Sequence, residues 1–250
     1  MAPTEPLKPL QRGTNHLGCF LKLPSPMAAE AVSLLGFDYL MFDMQHGLVT
    51  AQELVPLLQA AHATKRKIVR VPSGDPAIIG WCLDVGATSV VVPMVNSAAE
   101  AASAVAACRY PPVGTRSTGP TRAKLVYGAD YLSKSSEFVQ CIPMIETPSA
   151  LDCLDSILDV PGVDVIYVGP SDLSVGLGLG PGNNDGELAF DNALDQIVDA
   201  CHRHNVVAGI HADARLASRR LDQGFEMVTI AEDLEVLQLS LAEILDQIRN

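Results

Sequence analysis

Eight short runs rich in valine and isoleucine recur along the chain, separated by longer segments of helical period, and no other feature restricts the fold as tightly. The runs cover residues 18–23, 39–43, 67–71, 89–95, 139–145, 164–168, 206–210 and 227–230. Between and after them, residues 26–35, 51–63, 76–85, 98–108, 148–158, 187–204, 214–223 and 234–249 read as helices. That alternation is the signature of β-α-β-α repetition and a parallel sheet. Pro26, Pro76 and Pro148 each follow a capping side chain (Ser25, Asp75, Thr147), and Gly36, Gly86 and Gly224 stand where helices end. Continuous apolar runs such as Ser-Val-Val-Val-Pro-Met-Val suit strands covered on both faces. Eight such units predict a single (β/α)8 barrel spanning residues 1–250.

An open, doubly wound sheet would carry a glycine-rich phosphate turn after an early strand, and none is present. The run from Gly176 to Gly180 comes closest; it lacks the helix start and the acidic residue beyond it, and reads as a flexible loop. Residues 110–136 form the other long irregular stretch.

Composition narrows the partners. Seventeen basic against 29 acidic residues give a net charge of −12, which disfavours nucleic acid and anionic membrane. The sequence holds no apolar run long enough to span a bilayer and no apolar stretch in its first fifteen residues, so the expected location is cytoplasmic. Six cysteines stand singly in apolar surroundings and read as reduced core thiols.

In a barrel of this kind the chemistry lies at the carboxyl ends of the strands. Polar residues at those ends are Asp43, Gln45, His46, Arg70, Glu146, Asp172, His211 and Asp213. Glu146 and Asp172 follow neighbouring strands and would repel each other unless a cation lay between them. A hard divalent ion held by one or two carboxylates would satisfy both; each is equally placed to cap a helix, and position alone leaves the choice open. His46 could serve as a general base or merely bond to backbone. Arg70, at the inner end of an apolar strand, needs a carboxylate partner from protein or ligand. Asp84 ends a helix, where the dipole disfavours an acid, so a partner outside that helix should hold it. His211 and Asp213 read as strand exit and helix cap.

The chain resembles the HpcH/HpaI family of class II, metal-dependent pyruvate aldolases. The likeness rests on Phe42-Asp43-Met44-Gln45-His46-Gly47, Val69-Arg70-Val71-Pro72, Leu83-Asp84-Val85-Gly86, Arg109-Tyr110-Pro111-Pro112-Val113-Gly114, Ile145-Glu146-Thr147 and Val168-Gly169-Pro170-Ser171-Asp172-Leu173. It implies that Glu146 and Asp172 ligate a divalent metal ion, Mg²⁺ or Mn²⁺ with Co²⁺ as a third candidate. Pyruvate would chelate that ion, its carboxylate held by backbone amides around Gly169, Ser171 and Asp172. Arg70 would stabilise the enolate, and His46 would act as acid and base, paired with Asp84 from a neighbouring subunit. The resemblance further implies a homo-oligomer, a hexamer built as a trimer of dimers that exchange their last helix, residues 234–249. Leu234, Leu237, Leu241, Ile244 and Ile248 give that helix an apolar face, which an intramolecular barrel helix needs equally. Three residues depart from those common in the family: Gln45 removes a charge beside the base, Met144 replaces a glutamine that supports the metal site in some members, and Ser171 replaces an alanine of the aldehyde pocket, which leaves acceptor choice open.

The expected activity is therefore cleavage or formation of 4-hydroxy-2-oxo acids from pyruvate and an aldehyde through a metal-bound enolate. Two alternatives share the scaffold. Oxaloacetate decarboxylation with capture of the enolate, as in the related macrophomate synthase, would draw on Tyr127 and Tyr131. A CoA-ester lyase would want more basic residues than this acidic chain carries. Lys67, at the start of a strand, lies at the wrong end for Schiff-base chemistry.

Overall fold

A computed structural model describes residues 7–249. Eight parallel strands, β1 (His16–Leu21), β2 (Tyr39–Asp43), β3 (Arg66–Arg70), β4 (Ser89–Val92), β5 (Gln140–Ile145), β6 (Val165–Val168), β7 (Val207–His211) and β8 (Met227–Glu232), close into one barrel in sequence order. Around them run α1 (Pro26–Ser33), α2 (Ala51–Ala60), α3 (Pro76–Asp84), α4 (Ala98–Cys108), α5 (Thr121–Tyr127), α6 (Tyr131–Lys134), α7 (Pro148–Asp152), α8 (Leu154–Leu158), α9 (Pro170–Gly176), α10 (Leu188–His204), α11 (Ala217–Asp222) and α12 (Asp233–Arg249). The (β/α)8 expectation holds. Among the described residues no helix is long and apolar enough to cross a membrane.

Three segments differ from the sequence reading. The stretch 110–136 is not simply irregular: it holds α5 and α6, which pack Tyr127, Tyr131 and Phe138 together with ring centroids 5.4–5.8 Å apart. Neither helix start is closed by a side-chain cap hydrogen bond, even though Asp130 stands at the N-cap of α6. The helix expected over 148–158 breaks at Cys153 into α7 and α8. The glycine run at 176–180 begins as the last residue of α9.

Strand alternation sorts the side chains into two cores. Leu40, Phe42, Val69, Val90 and Ile166 face the helices. Phe20, Tyr39, Met41, Ile68, Ile142, Met144 and Tyr167 fill the barrel itself. Leu10 plugs the amino-terminal end, exchanging two backbone hydrogen bonds with the Gln140 amide at 2.7 and 3.0 Å. Mid-barrel, the hydroxyls of Tyr39 and Tyr167 meet at Thr229, 2.8 and 2.6 Å from its Oγ1. Glycine makes room for the tyrosines: a Cβ on Gly18 would stand 2.1 Å from the Tyr39 ring.

Carried one step further, the inward register reaches Asp43, Arg70, Glu146, Gly169, His211 and Lys22 at the carboxyl ends of the strands. β8 joins them through a bulge. Gly18 pairs with Thr229 but Cys19 pairs with Ala231, so one residue is looped out and Glu232 comes to lie beside Phe20.

Candidate active site

The carboxyl-end mouth opens into a cavity of about 200 Å³, walled on one side by His46, Arg70 and Gly169–Asp172, and on the other by Lys22, His211 and Glu232. His46, Arg70, Gly169, Ser171 and Asp172, expected at the site from sequence, all line it. Glu146, only 1% exposed, sits immediately behind the wall.

Arg70 is placed by β3 and answered by β2. Its Nε and Nη2 donate to the two Asp43 carboxylate oxygens at 2.9 and 2.7 Å, a two-point geometry that fixes the guanidinium plane. Burial by itself would raise the Asp43 pKa; the hydrogen bonds and charge of Arg70 outweigh it and hold the carboxyl below its ordinary value. Asp43 Oδ1 also accepts the amides of Gln45 at 3.1 Å and His46 at 3.3 Å, so a single acid anchors both the arginine and the turn that presents the histidine at the rim.

Glu146 is not a helix cap. Thr147 caps α7, its Oγ1 accepting from the Ala150 amide at 3.1 Å. Glu146 instead accepts the Met94 amide on Oε1 at 2.7 Å, and Met94 adopts a left-handed φ of 56° to deliver it, a conformation that costs a non-glycine residue roughly 1–3 kcal/mol. Oε2 of Glu146 is buried without a hydrogen-bond partner. The Glu146 pKa is raised, first by burial and then by the charge of Asp172. Asp172 likewise caps nothing; it stands in the first turn of α9, whose N-cap is Gly169. Gly169 is required where it stands, because a Cβ there would lie 2.4 Å from Glu146 Oε2.

This donor set fits a hard divalent cation. One carboxylate oxygen is buried and unpaired, a second carboxylate repels it across the site, and the residues around them leave room for other ligands. Among the described residues no three His, Cys, Asp or Glu side chains converge, unlike the three- or four-ligand sets of zinc centres. Met144, 1% exposed beside Gly169, contributes bulk but no hard donor.

Other expected residues fall elsewhere. Asp84, at the last position of α3, is away from the mouth of its own barrel; Arg116 holds it at 2.6 Å and also donates to the Tyr131 hydroxyl at 3.2 Å. The external partner anticipated for this acid is thus Arg116. Tyr127 and Tyr131 do not reach the mouth: Tyr127 donates to the Gly86 carbonyl at 2.8 Å within the α5–α6 cluster. Lys67 lies at the amino-terminal part of β3 and donates to the Thr64 carbonyl at 2.7 Å, clear of the cavity as expected. Lys22 and Glu232 were not anticipated at the site, and His211 was taken as structural; all three line the mouth.

A profile of the HpcH/HpaI aldolase/citrate lyase family matches residues 16–238. The chain is 36% identical over 239 residues to a hydroxypyruvate/pyruvate aldolase of Rhizorhabdus wittichii, covering 95% of each. It is 33% identical to a 5-keto-4-deoxy-D-glucarate aldolase of Klebsiella pneumoniae, covering 92% of this chain and 91% of the relative. A crystal structure of an HpcH/HpaI aldolase/citrate lyase family protein from Burkholderia cenocepacia superposes with a TM-score of 0.88 at 28% identity, over 95% of each chain. With its barrel, paired carboxylates and buried arginine in place, the chain belongs to the HpcH/HpaI aldolase/citrate lyase family and is an aldolase.

Proposed function

We propose that this aldolase is divalent-metal-dependent and interconverts a 4-hydroxy-2-oxo acid with pyruvate and an aldehyde. The observation that carries the reading is the buried, unpartnered Oε2 of Glu146 behind the wall of the mouth, within electrostatic reach of Asp172 and Arg70. Glu146 and Asp172 would hold Mg²⁺, Mn²⁺ or Co²⁺, and such an ion, when bound, supplies a Lewis acid to the carboxylate and keto oxygens of the substrate.

The chain's own residues divide the remaining work. Arg70, fixed by Asp43, presents a guanidinium to the keto oxygen as negative charge builds on it. Amides in the first turn of α9, at Ser171 and Asp172, lack helical acceptors and receive the substrate carboxylate. In the cleavage direction His46 takes the proton of the C4 hydroxyl. The C3–C4 bond breaks, the aldehyde carbonyl forms, and the bonding pair moves into the enolate of pyruvate; return of one proton to C3 completes the methyl group. The relatives named as pyruvate and hydroxypyruvate aldolases support this class of substrate.

We place the enzyme in the cytoplasm as a homo-oligomer, a hexamer assembled from dimers, with Asp84 of a neighbouring subunit facing His46. Association of subunits is supported by α12, which buries none of its residues and exposes Leu237 at 49%, Leu241 at 52% and Ile248 at 83%. The test is pyruvate release from a 4-hydroxy-2-oxo acid, followed through a coupled dehydrogenase with Mg²⁺, Mn²⁺ or EDTA. Metal-dependent release that falls at least about 100-fold in His46→Ala supports the reading. Release unaffected by EDTA overturns it.

A further inference from the structure

The cavity has a second wall that the proposed mechanism does not use. Lys22, His211 and Glu232 project into it from the ends of β1, β7 and β8. Phe20 joins the two walls: the Arg70 guanidinium lies 4.9 Å from its ring centroid on one side, and the His211 ring meets it edge-on at 5.3 Å on the other. A group bound at Arg70 therefore has Lys22, His211 and Glu232 as its next neighbours across the cavity.

Three polar side chains in a mouth of this size are costly unless they are used. Two satisfy each other: Lys22 Nζ and Glu232 Oε2 are 2.6 Å apart. The third does not, since His211 Nδ1 is shielded from solvent with no hydrogen-bond partner. Burial, the largest effect, holds the His211 pKa down at about 4, with Lys22 and Arg70 opposing protonation and Glu232 and Asp213 favouring it. The ring is neutral at neutral pH. Each cation at the mouth is already committed, Lys22 to Glu232 and Arg70, fixed by Asp43, to the keto oxygen of pyruvate. The wall thus offers hydrogen bonds and no spare charge.

We propose that Lys22, His211 and Glu232 form the acceptor subsite of this aldolase, and that they select a short, uncharged hydroxyaldehyde over an apolar or a carboxylated one. The inference rests on the pyruvate reading above. An alkyl acceptor would leave the imidazole of His211, which lines the cavity without a hydrogen bond, unanswered, and a second carboxylate would meet Glu232 and Asp172 without a free cation. A hydroxyl beside the aldehyde satisfies His211 and fits a cavity of about 200 Å³ that must also hold pyruvate.

The test compares glycolaldehyde with propanal, which has the same number of heavy atoms, and with succinic semialdehyde, each condensed with pyruvate by the Mn²⁺-loaded enzyme. Exchange of pyruvate methyl protons in D₂O is followed in parallel, because it needs no acceptor. The expected kcat/KM for glycolaldehyde exceeds that for propanal by about 30-fold or more, since a site built to bond a hydroxyl rejects its apolar isostere. His211→Leu should reduce that preference about tenfold, the effect of losing one hydrogen bond. Glu232→Gln, which keeps shape while freeing Lys22, should raise succinic semialdehyde relative to glycolaldehyde by about fivefold or more. If exchange proceeds and propanal matches glycolaldehyde within twofold, or if neither variant moves its ratio, the subsite is not this wall. If the wild-type enzyme gives no exchange, the pyruvate reading falls and the acceptor assignment falls with it.

Discussion

Asp43 and Arg70 face each other across the β2–β3 seam in a two-point pair, Nε to Oδ1 at 2.9 Å and Nη2 to Oδ2 at 2.7 Å. Asp43 is fully buried and Arg70 nearly so, so neither charge is tolerable alone. Asp43→Ala should destabilise the protein by about 3–5 kcal/mol, the cost of an orphaned buried partner, read as a shift in the urea midpoint. Asp43→Asn keeps the volume; it should lower pyruvate proton exchange by about 100-fold by loosening both Arg70 and the His46 turn. Because the folded-state pKa of Asp43 lies below the unfolded one, the stabilisation is complete above the unfolded carboxyl pKa and is lost as pH falls through the folded value.

His211 gives a second pH signature in a higher window. Its folded-state pKa is about 4 against 6.5 unfolded, so the unfolded chain binds the extra proton between those values. Stability should be complete above about pH 6.5 and decline by up to about 3 kcal/mol as pH falls to 4. His211→Leu should flatten that part of the profile, measured by chemical denaturation at stepped pH.

Gly169 tests the metal reading without touching a ligand. A Cβ there would meet Glu146 Oε2 at 2.4 Å and Met144 Cε at 2.9 Å, so Gly169→Ala must displace the glutamate. Mn²⁺ affinity, followed by electron paramagnetic resonance of the free ion, should fall at least about tenfold, as it does when groups that orient a ligand are disturbed. Unchanged affinity would argue that Glu146 is not a ligand.

Deeper in the barrel, Thr229 accepts or donates to both Tyr39 and Tyr167. Thr229→Val keeps the shape and leaves two buried phenols unpaired, which should cost about 2–4 kcal/mol of stability, read from the denaturant midpoint.

Much of this arrangement was legible in the chain. The eight apolar runs announced the barrel, and strand-end polarity marked Asp43, His46, Arg70, Glu146 and Asp172. What escaped had physical reasons. Glu232 enters the mouth only because β8 bulges between Thr229 and Ala231; strict alternation from Met227 would turn it outward, and a bulge leaves no trace in composition. Lys22 was counted inside a strand that in fact ends at Leu21. The helices α5 and α6 are too short for a periodic signal. Asp84 finds Arg116 across 32 residues, a pairing that only the tertiary fold creates.

The most direct test of the whole account is exchange of pyruvate methyl protons in D₂O, followed by NMR with Mg²⁺ or Mn²⁺ and again with EDTA. The account predicts exchange well above the enzyme-free rate, abolished by EDTA and lowered at least about 100-fold in Arg70→Lys. Absence of exchange in metal-loaded enzyme that still binds pyruvate, or exchange indifferent to both EDTA and Arg70, would contradict it.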